Sequence, residues 1–222
     1  MASPQDALEY AMRMVGNMPL DDPKLIYRLL DDAHKKLWMA ALWHWSVGYF
    51  EEFTVQNDQQ DYTFAGSYNA IHVINGSLTN GQEKYELTPS GALPVTTSIV
   101  GRPGQVQLLN NGLRIFPAPS GYPSSNLPKL LATYKKTPTT IAAGNANDDY
   151  TTLSVPDEWF WVYQEIVLLK AYQFSNSPRL GAVETMPQGI RYTGQFGAVE
   201  AALAFMKQAE EKLFDTIGKV VQ

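Results

Sequence analysis

The apolar positions of this chain change period twice. From Pro23 to about Ser46, Ile26, Leu29, Leu30, Ala33, Leu37, Ala40 and Ala41 recur at helical spacing. Arg28, Asp31, Asp32, Lys35 and Lys36 fall on the opposite side, and Asp31 with Lys35 or Asp32 with Lys36 makes a favourable one-turn pair. Asp22-Pro23 is a start signal for this helix, and Ser3-Pro4 is one for an earlier helix that runs to about Val15 and stops at Gly16. From Tyr49 the period falls to two. Phe50, Glu52 and Thr54 alternate with Glu51, Phe53 and Val55, and Asp58-Gln59-Gln60 predicts a hairpin turn into Tyr62-Thr63-Phe64. Further strands are expected at 68–74, 84–87, 105–109, 113–116 and 130–135. Asn75-Gly76, Asn80-Gly81 and Asn111-Gly112 are read as the turns among them. Residues 141–149 are small and polar, which predicts a loop.

Helical spacing returns at Ser154, the expected cap, with Asp157 and Glu158 complementing the helix dipole. This third helix is apolar almost all round, so it should be the most buried, with Trp159 and Trp161 anchoring the core where helices cross. Ser177-Pro178 is expected to end it. Glycine-rich residues 179–197 predict a mobile or partner-ordered loop. A last helix, about Ala198 to Ile217, carries Val199, Ala202, Leu203, Met206, Leu213 and Ile217 on one stripe and Lys207, Glu210 and Glu211 on another.

Helices interrupted by a β module must close on each other, or their apolar stripes stay wet. The expected class is therefore α+β: a helical bundle from residues 1–48 and 152–222, with an inserted antiparallel β-rich lobe at 49–151. Composition adds that only 18% of the 222 residues are charged, against roughly 25% in an average soluble protein. That fits a surface partly covered by partners, and a β-rich composition would lower the count as well. A net charge of −5 argues against binding nucleic acid by phosphate neutralisation. There is no cysteine, hence neither disulfides nor thiolate metal sites. The N-terminus lacks a basic segment followed by an apolar one, and the longest apolar stretch, near Trp38–Trp45, is too short to span a bilayer. A soluble protein is expected, with no membrane association.

Candidate chemistry is sparse. His34, His44 and His72 have no metal-ligand spacing, and His44 is expected to pack between Trp43 and Trp45 at a helix end. Adjacent carboxylates at Glu51-Glu52, Asp148-Asp149, Asp157-Glu158 and Glu210-Glu211 lack the facing geometry that glycosidases need. Gly101-Arg102-Pro103-Gly104 is a turn, not a phosphate cradle. No catalytic residue, cofactor or metal is expected. Tyr62, Tyr68 and Tyr85 keep open an alternative, a carbohydrate-binding or cell-wall-hydrolysing module. A third class is a scaffold or assembly regulator.

The helix ending in Trp43 and Trp45, the turn Gln59-Gln60-Asp61-Tyr62, the run Leu113-Arg114-Ile115-Phe116-Pro117-Ala118-Pro119, then Leu131-Ala132-Thr133-Tyr134-Lys135-Lys136, and Leu153-Ser154-Val155-Pro156-Asp157-Glu158-Trp159 follow one another in that order. Together they resemble the head–tail connector adaptors of short-tailed phages, the tail tubular protein A-like group. The stretch Ala7–Val15 departs from the group as an added helix. The resemblance implies a non-enzymatic virion protein, assembled in the host cytoplasm as a ring of about twelve copies. Such a ring lies between the portal protein and a nozzle or tail tubular protein and passes DNA without specific binding. It further implies a portal contact through the C-terminal region, placed on Val199, Leu203, Met206, Leu213 and Ile217. The turns of the β lobe, at Asn75, Asn80 and Arg102, are then candidates for the nozzle side.

Overall fold

Ser3 Oγ accepts from the Asp6 amide at 3.3 Å while the Asp6 carboxylate accepts from the Ser3 amide at 2.8 Å, and this reciprocal cap starts helix α1, Pro4–Val15. Gly16, at φ 84°, stops it by donating to the Met12 carbonyl. The computed structural model describes residues 3–16, 23–81, 83–96, 98–141, 153, 155–187 and 189–220, with backbone only for Pro23 and 213–220. The expected cap residues Asp22 and Ser154, and the pair Asp148-Asp149, lie outside the described residues.

Contacts divide the chain into two compact units, residues 1–45 with 138–222, and residues 46–137. In the first, α2 spans Pro23–Ala40. It ends earlier than Ser46 because Trp43 folds back: its Nε1 donates to the Leu37 carbonyl at 2.8 Å, satisfying an acceptor that the helix end leaves open. A 3-10 turn, His44–Ser46, follows. Chain returning from the β unit is tied to α2 as early as Thr139 and Ile141. Ile141 N–H donates to Asp31 at 3.0 Å, and the His34 ring meets the Thr139 carbonyl at 3.2 Å. Helix α3, Phe160–Phe174, is preceded by a 3-10 turn at Asp157–Trp159. It is the centre of the unit, packed on α1, α2 and α4 (Gly194–Val220).

The core of this unit joins Ala7 and Ala11 of α1, Leu30, Ala33 and Leu37 of α2, Val162, Tyr163 and Ile166 of α3, and Val199 and Met206 of α4. Each large apolar side chain buried there contributes roughly 1.5–3 kcal/mol. Trp161 is not among them. It is 41% exposed, while its neighbours Phe160 and Val162 turn inward. A helix places successive residues 100° apart, so Trp159 and Trp161 could not both point where Phe160 and Tyr163 do. The glycine-rich segment is ordered too. Pro178–Leu180 forms a 3-10 turn, and β11 (Val183–Met186) pairs with β12 (Gly189–Tyr192) as an antiparallel hairpin.

The second unit holds β1 (Val47–Tyr49), β2 (Phe53–Thr54), β3 (Asp61–Thr63), β4 (Ala70–Thr79), β5 (Lys84–Pro89), β6 (Val100–Gly101), β7 (Gln105–Leu109), β8 (Gly112–Phe116), β9 (Ala118–Pro119) and β10 (Lys129–Lys136). The main sheet runs β1-β10-β4-β5-β7-β8-β3, with β2 also on β10 and β6 paired with β9 apart. Pairs β5/β7 and β6/β9 are parallel and the rest antiparallel. Three local expectations change. Phe53–Thr54 and Tyr62 do not form a hairpin: β2 pairs with β10 and β3 with β8, far apart in strand order. Asn75-Gly76 is no turn but lies within β4, where Gly76 lets Val106 and Leu87 pack over the backbone. The tight hairpin between β7 and β8 turns on Asn110-Asn111, and Gly112 is already paired. Leu78, Leu87, Val106, Leu113, Ile115 and Leu130 fill the core between the curled strands.

Candidate interaction surfaces

Several of the polar residues that could have carried chemistry are engaged in architecture. Glu51 accepts from the Ala65 amide at 2.6 Å, and Glu52 pairs with Lys129. Asp61 and Arg114 form a two-pronged ion pair at 2.6 and 2.7 Å across β3 and β8. Gln60, buried, accepts from Thr96 N–H, and Tyr62 donates to the Gln59 carbonyl, so the Gln-Gln-Asp-Tyr motif builds the lobe itself. Burial raises the Tyr62 hydroxyl pKa to about 12. Among the described residues no cluster of three His, Asp or Glu side chains could hold a metal ion, and no helix is long and apolar enough to cross a membrane.

One buried acid escaped the sequence reading. Glu210, assigned to a polar stripe, is 2% exposed. Its carboxylate accepts from Trp159 Nε1 at 3.0 Å, from the His44 amide at 3.1 Å and from His44 Nδ1 at 2.5 Å. It thereby ties α4 to the start of α3 and to the turn after α2. His44 thus meets a carboxylate, while Trp43 and Trp45 stack on each other with ring centres 6.2 Å apart. A full helical turn of charged neighbours, Lys207 and Glu211, hid Glu210, and its only clue was the indole-rich company available to it.

In the β unit, Asn80 and Arg102 come together as the walls of a small cavity of about 130 Å³, with Tyr85 and Tyr122. The Arg102 guanidinium sits 3.8 Å over the Tyr85 ring, and the Tyr85 and Tyr122 hydroxyls are hydrogen-bonded. Burial first, then that bond, pushes the Tyr85 hydroxyl up. Asn75 does not join them. It lies exposed on β4 and accepts from Thr133 Oγ1 at 2.6 Å. Tyr62, Tyr68 and Tyr85 form no exposed row of rings, since Tyr62 is buried and Tyr68 packs against Phe50 and Phe64.

Three of the five residues expected to meet a portal, Val199, Leu203 and Met206, belong to the helical core instead. The stripe packs inward because α4 must cover α3. Leu213 and Ile217 lie on the same helix, but their side chains are outside the described residues. Exposed apolar groups on this unit are elsewhere. Trp161 and Phe205 lie with ring centres 6.3 Å apart, and Val183, Met186, Ile190 and Tyr192 crowd the β11–β12 hairpin. A groove of about 340 Å³ opens between α2 and α3, floored by Leu25, Leu29 and Phe174.

These features fit a protein that works by contact. Compared with known families, residues 5–214 match the SU10 adaptor protein. No curated protein matches the chain.

Proposed function

This chain belongs to the SU10 adaptor protein family, a structural family of phages, and from that premise we propose that it forms a ring between the portal and the tail of a tailed phage, continuing the DNA channel. The family is structural rather than enzymatic, and membership implies contacts with other virion proteins. The observation that carries the reading is that this match runs through both compact units. Exposed apolar side chains on the hairpin and on Trp161 and Phe205 support it, because such groups call for cover.

In this reading the helical unit is a bundle facing the portal, and the β unit is an inserted lobe reaching toward a nozzle or tail tubular protein, as in the tail tubular protein A-like adaptors. Asn80 and Arg102 are the lobe residues to meet it. Charge supports the channel role. Roughly twelve chains at −5 each give about −60 for a ring. An acidic wall does not trap a moving polyanion, whereas a basic one would. Light scattering of the purified chain with and without its portal, and cryo-electron microscopy of finished particles, test the proposal. A ring at the head–tail junction with an acidic lumen is expected. Absence of the chain from finished particles, or a basic lumen, would count against it.

A further inference from the structure

We propose that Asn80-Gly81 is a self-modifying site: the Gly81 backbone nitrogen closes on the Asn80 side-chain amide, ammonia leaves, and the chain acquires a carboxylate at position 80. The sequence has three Asn-Gly pairs, at 75–76, 80–81 and 111–112, and the fold frees this one to react while it locks the other two.

The reactants are the two residues and water. The Gly81 nitrogen attacks Cγ of Asn80 and gives up its proton. A new N–Cγ bond forms, the Cγ–Nδ2 bond breaks, and the side-chain nitrogen departs as ammonia with that proton, leaving a five-membered succinimide. Water then opens the ring. Cleavage of the new N–Cγ bond yields aspartate. Cleavage of the original peptide bond yields isoaspartate, with the chain rerouted through Cγ. Either product carries one more negative charge than the parent, as other charge-changing modifications do. The attack needs a peptide free to rotate, and a following residue without a Cβ obstructs it least.

The turn between β4 and β5 meets these needs. β4 ends at Thr79 and β5 begins at Lys84. Gly81 is exposed, sits at φ 84°, and a Cβ there would meet nothing within 4 Å. Its N–H meets the Thr79 hydroxyl at 3.4 Å, a long contact that yields readily. Asn80 Oδ1 accepts from the Glu83 N–H at 2.8 Å. That bond draws electrons from Cγ and stabilises the charge the oxygen gains during attack.

The other two pairs are held on both sides. Gly76 is paired with Ala132 of β10 and with Leu87 of β5, and Val106 packs over it. Gly112 is paired with Thr63 of β3 and with Leu109 of β7, and its backbone presses on Tyr62. The Asn111 carbonyl also accepts from the Phe64 N–H at 3.0 Å. Turning either peptide toward its side chain would break ladder bonds to two strands. Asn80 moreover lines the cavity that Arg102 lines, and among the described residues Arg102 is in no ion pair. The product carboxylate gives that guanidinium a partner. In the ring reading this surface meets the tail, so its charge changes as the particle ages. That consequence rests on the ring reading; the reaction does not.

The purified full-length chain, incubated at mildly alkaline pH, digested and read by mass spectrometry, tests the site, with an isoaspartyl methyltransferase scoring the isoaspartate. Position 80 should convert at least about tenfold faster than positions 75 and 111, which react only after local opening. The rate should rise with pH, because the Gly81 nitrogen must lose its proton. In denaturant the three rates should draw together, because the fold makes the difference. Asn80→Gln, which would have to close a six-membered ring, should remove the fast release of ammonia from the folded chain. Equal rates at the three positions of the folded chain overturn the proposal. So does faster conversion at 75 or 111, or a lead of position 80 that persists undiminished in denaturant.

Discussion

The Glu210 carboxylate lies 2.5 Å from Nδ1 of His44 across 166 positions of sequence. The same carboxylate also receives the Trp159 indole, so one buried acid holds three segments of the helical unit. Replacing it by alanine leaves three part-buried donors, the Trp159 indole, the His44 amide and His44 Nδ1, without an acceptor. Glu210→Ala should therefore destabilise the chain by about 2–4 kcal/mol. Glu210→Gln keeps one carbonyl acceptor and should lose less. Denaturant unfolding followed by tryptophan fluorescence, to which Trp159 contributes as one of five tryptophans, checks both the size and the order of the two effects.

His34 gives the unit a pH dependence of definite sign. It is fully buried, Nδ1–H donates to the Thr139 carbonyl, and Nε2 has no partner among the described residues. Burial holds its pKa below the ordinary 6.5, against smaller opposing effects from Thr139 and Asp31. The unfolded chain thus takes up a proton first, near pH 6.5, and the folded chain resists it. Stability is full above about pH 6.5 and falls as the pH drops below that value toward the lowered folded pKa, with a slope of at most about 1.4 kcal/mol per pH unit for one proton. Thermal melts between pH 8 and pH 5 should show this fall, and His34→Gln should flatten it relative to the parent chain.

What could be read ahead of the structure was local. Ser3, Pro4 and Gly16 act within one turn of themselves, so the bounds of α1 were legible. The all-round apolar character of α3 announced its burial, since no orientation could keep it wet. Features set by distant partners were not legible. The end of α2 depends on Trp43 reaching back to Leu37, and Glu210 is buried because indole and imidazole donors arrive from two other segments. Asn75-Gly76 has turn composition, yet the space over Gly76 is needed by Val106. The hairpin at 183–192 did leave a signal, the alternation of Val183 and Thr185 and of Ile190 and Tyr192, but the surrounding glycines read more loudly as a loop.

Gly112 in β8 faces the Tyr62 backbone so tightly that a Cβ there would lie 2.0 Å from the Tyr62 carbonyl oxygen. Backbone cannot give way as a flexible side chain can. Gly112→Ala should push β3 off β8, weaken the Asp61–Arg114 pair that spans them, and destabilise the chain by about 1–3 kcal/mol. Gly66 is the control, because a Cβ there meets nothing within 4 Å. Gly66→Ala should melt within about 1 °C of the parent, given that surface changes stay near zero. Equal losses from the two substitutions would refute the close-packing account.

The burial of Val199, Leu203 and Met206 changes how the C-terminal region can be tested for portal binding. A chain ending at Gly197 loses these three side chains and Glu210 together, so the helical unit should unfold, and its failure to bind a portal would say nothing about a contact. A chain ending at Lys212 keeps all of them, since among the described residues the last core side chain of α4 is Met206 and the polar node lies at Glu210. Its unfolding midpoint should stay close to that of the parent. If Leu213 and Ile217 carry the portal contact, this shorter chain should remain folded by circular dichroism yet fail to bind the portal protein of the same phage in a pull-down. Undiminished binding by the folded, shortened chain would place the portal contact elsewhere on the helical unit, with exposed Trp161 and Phe205 the next side chains to substitute.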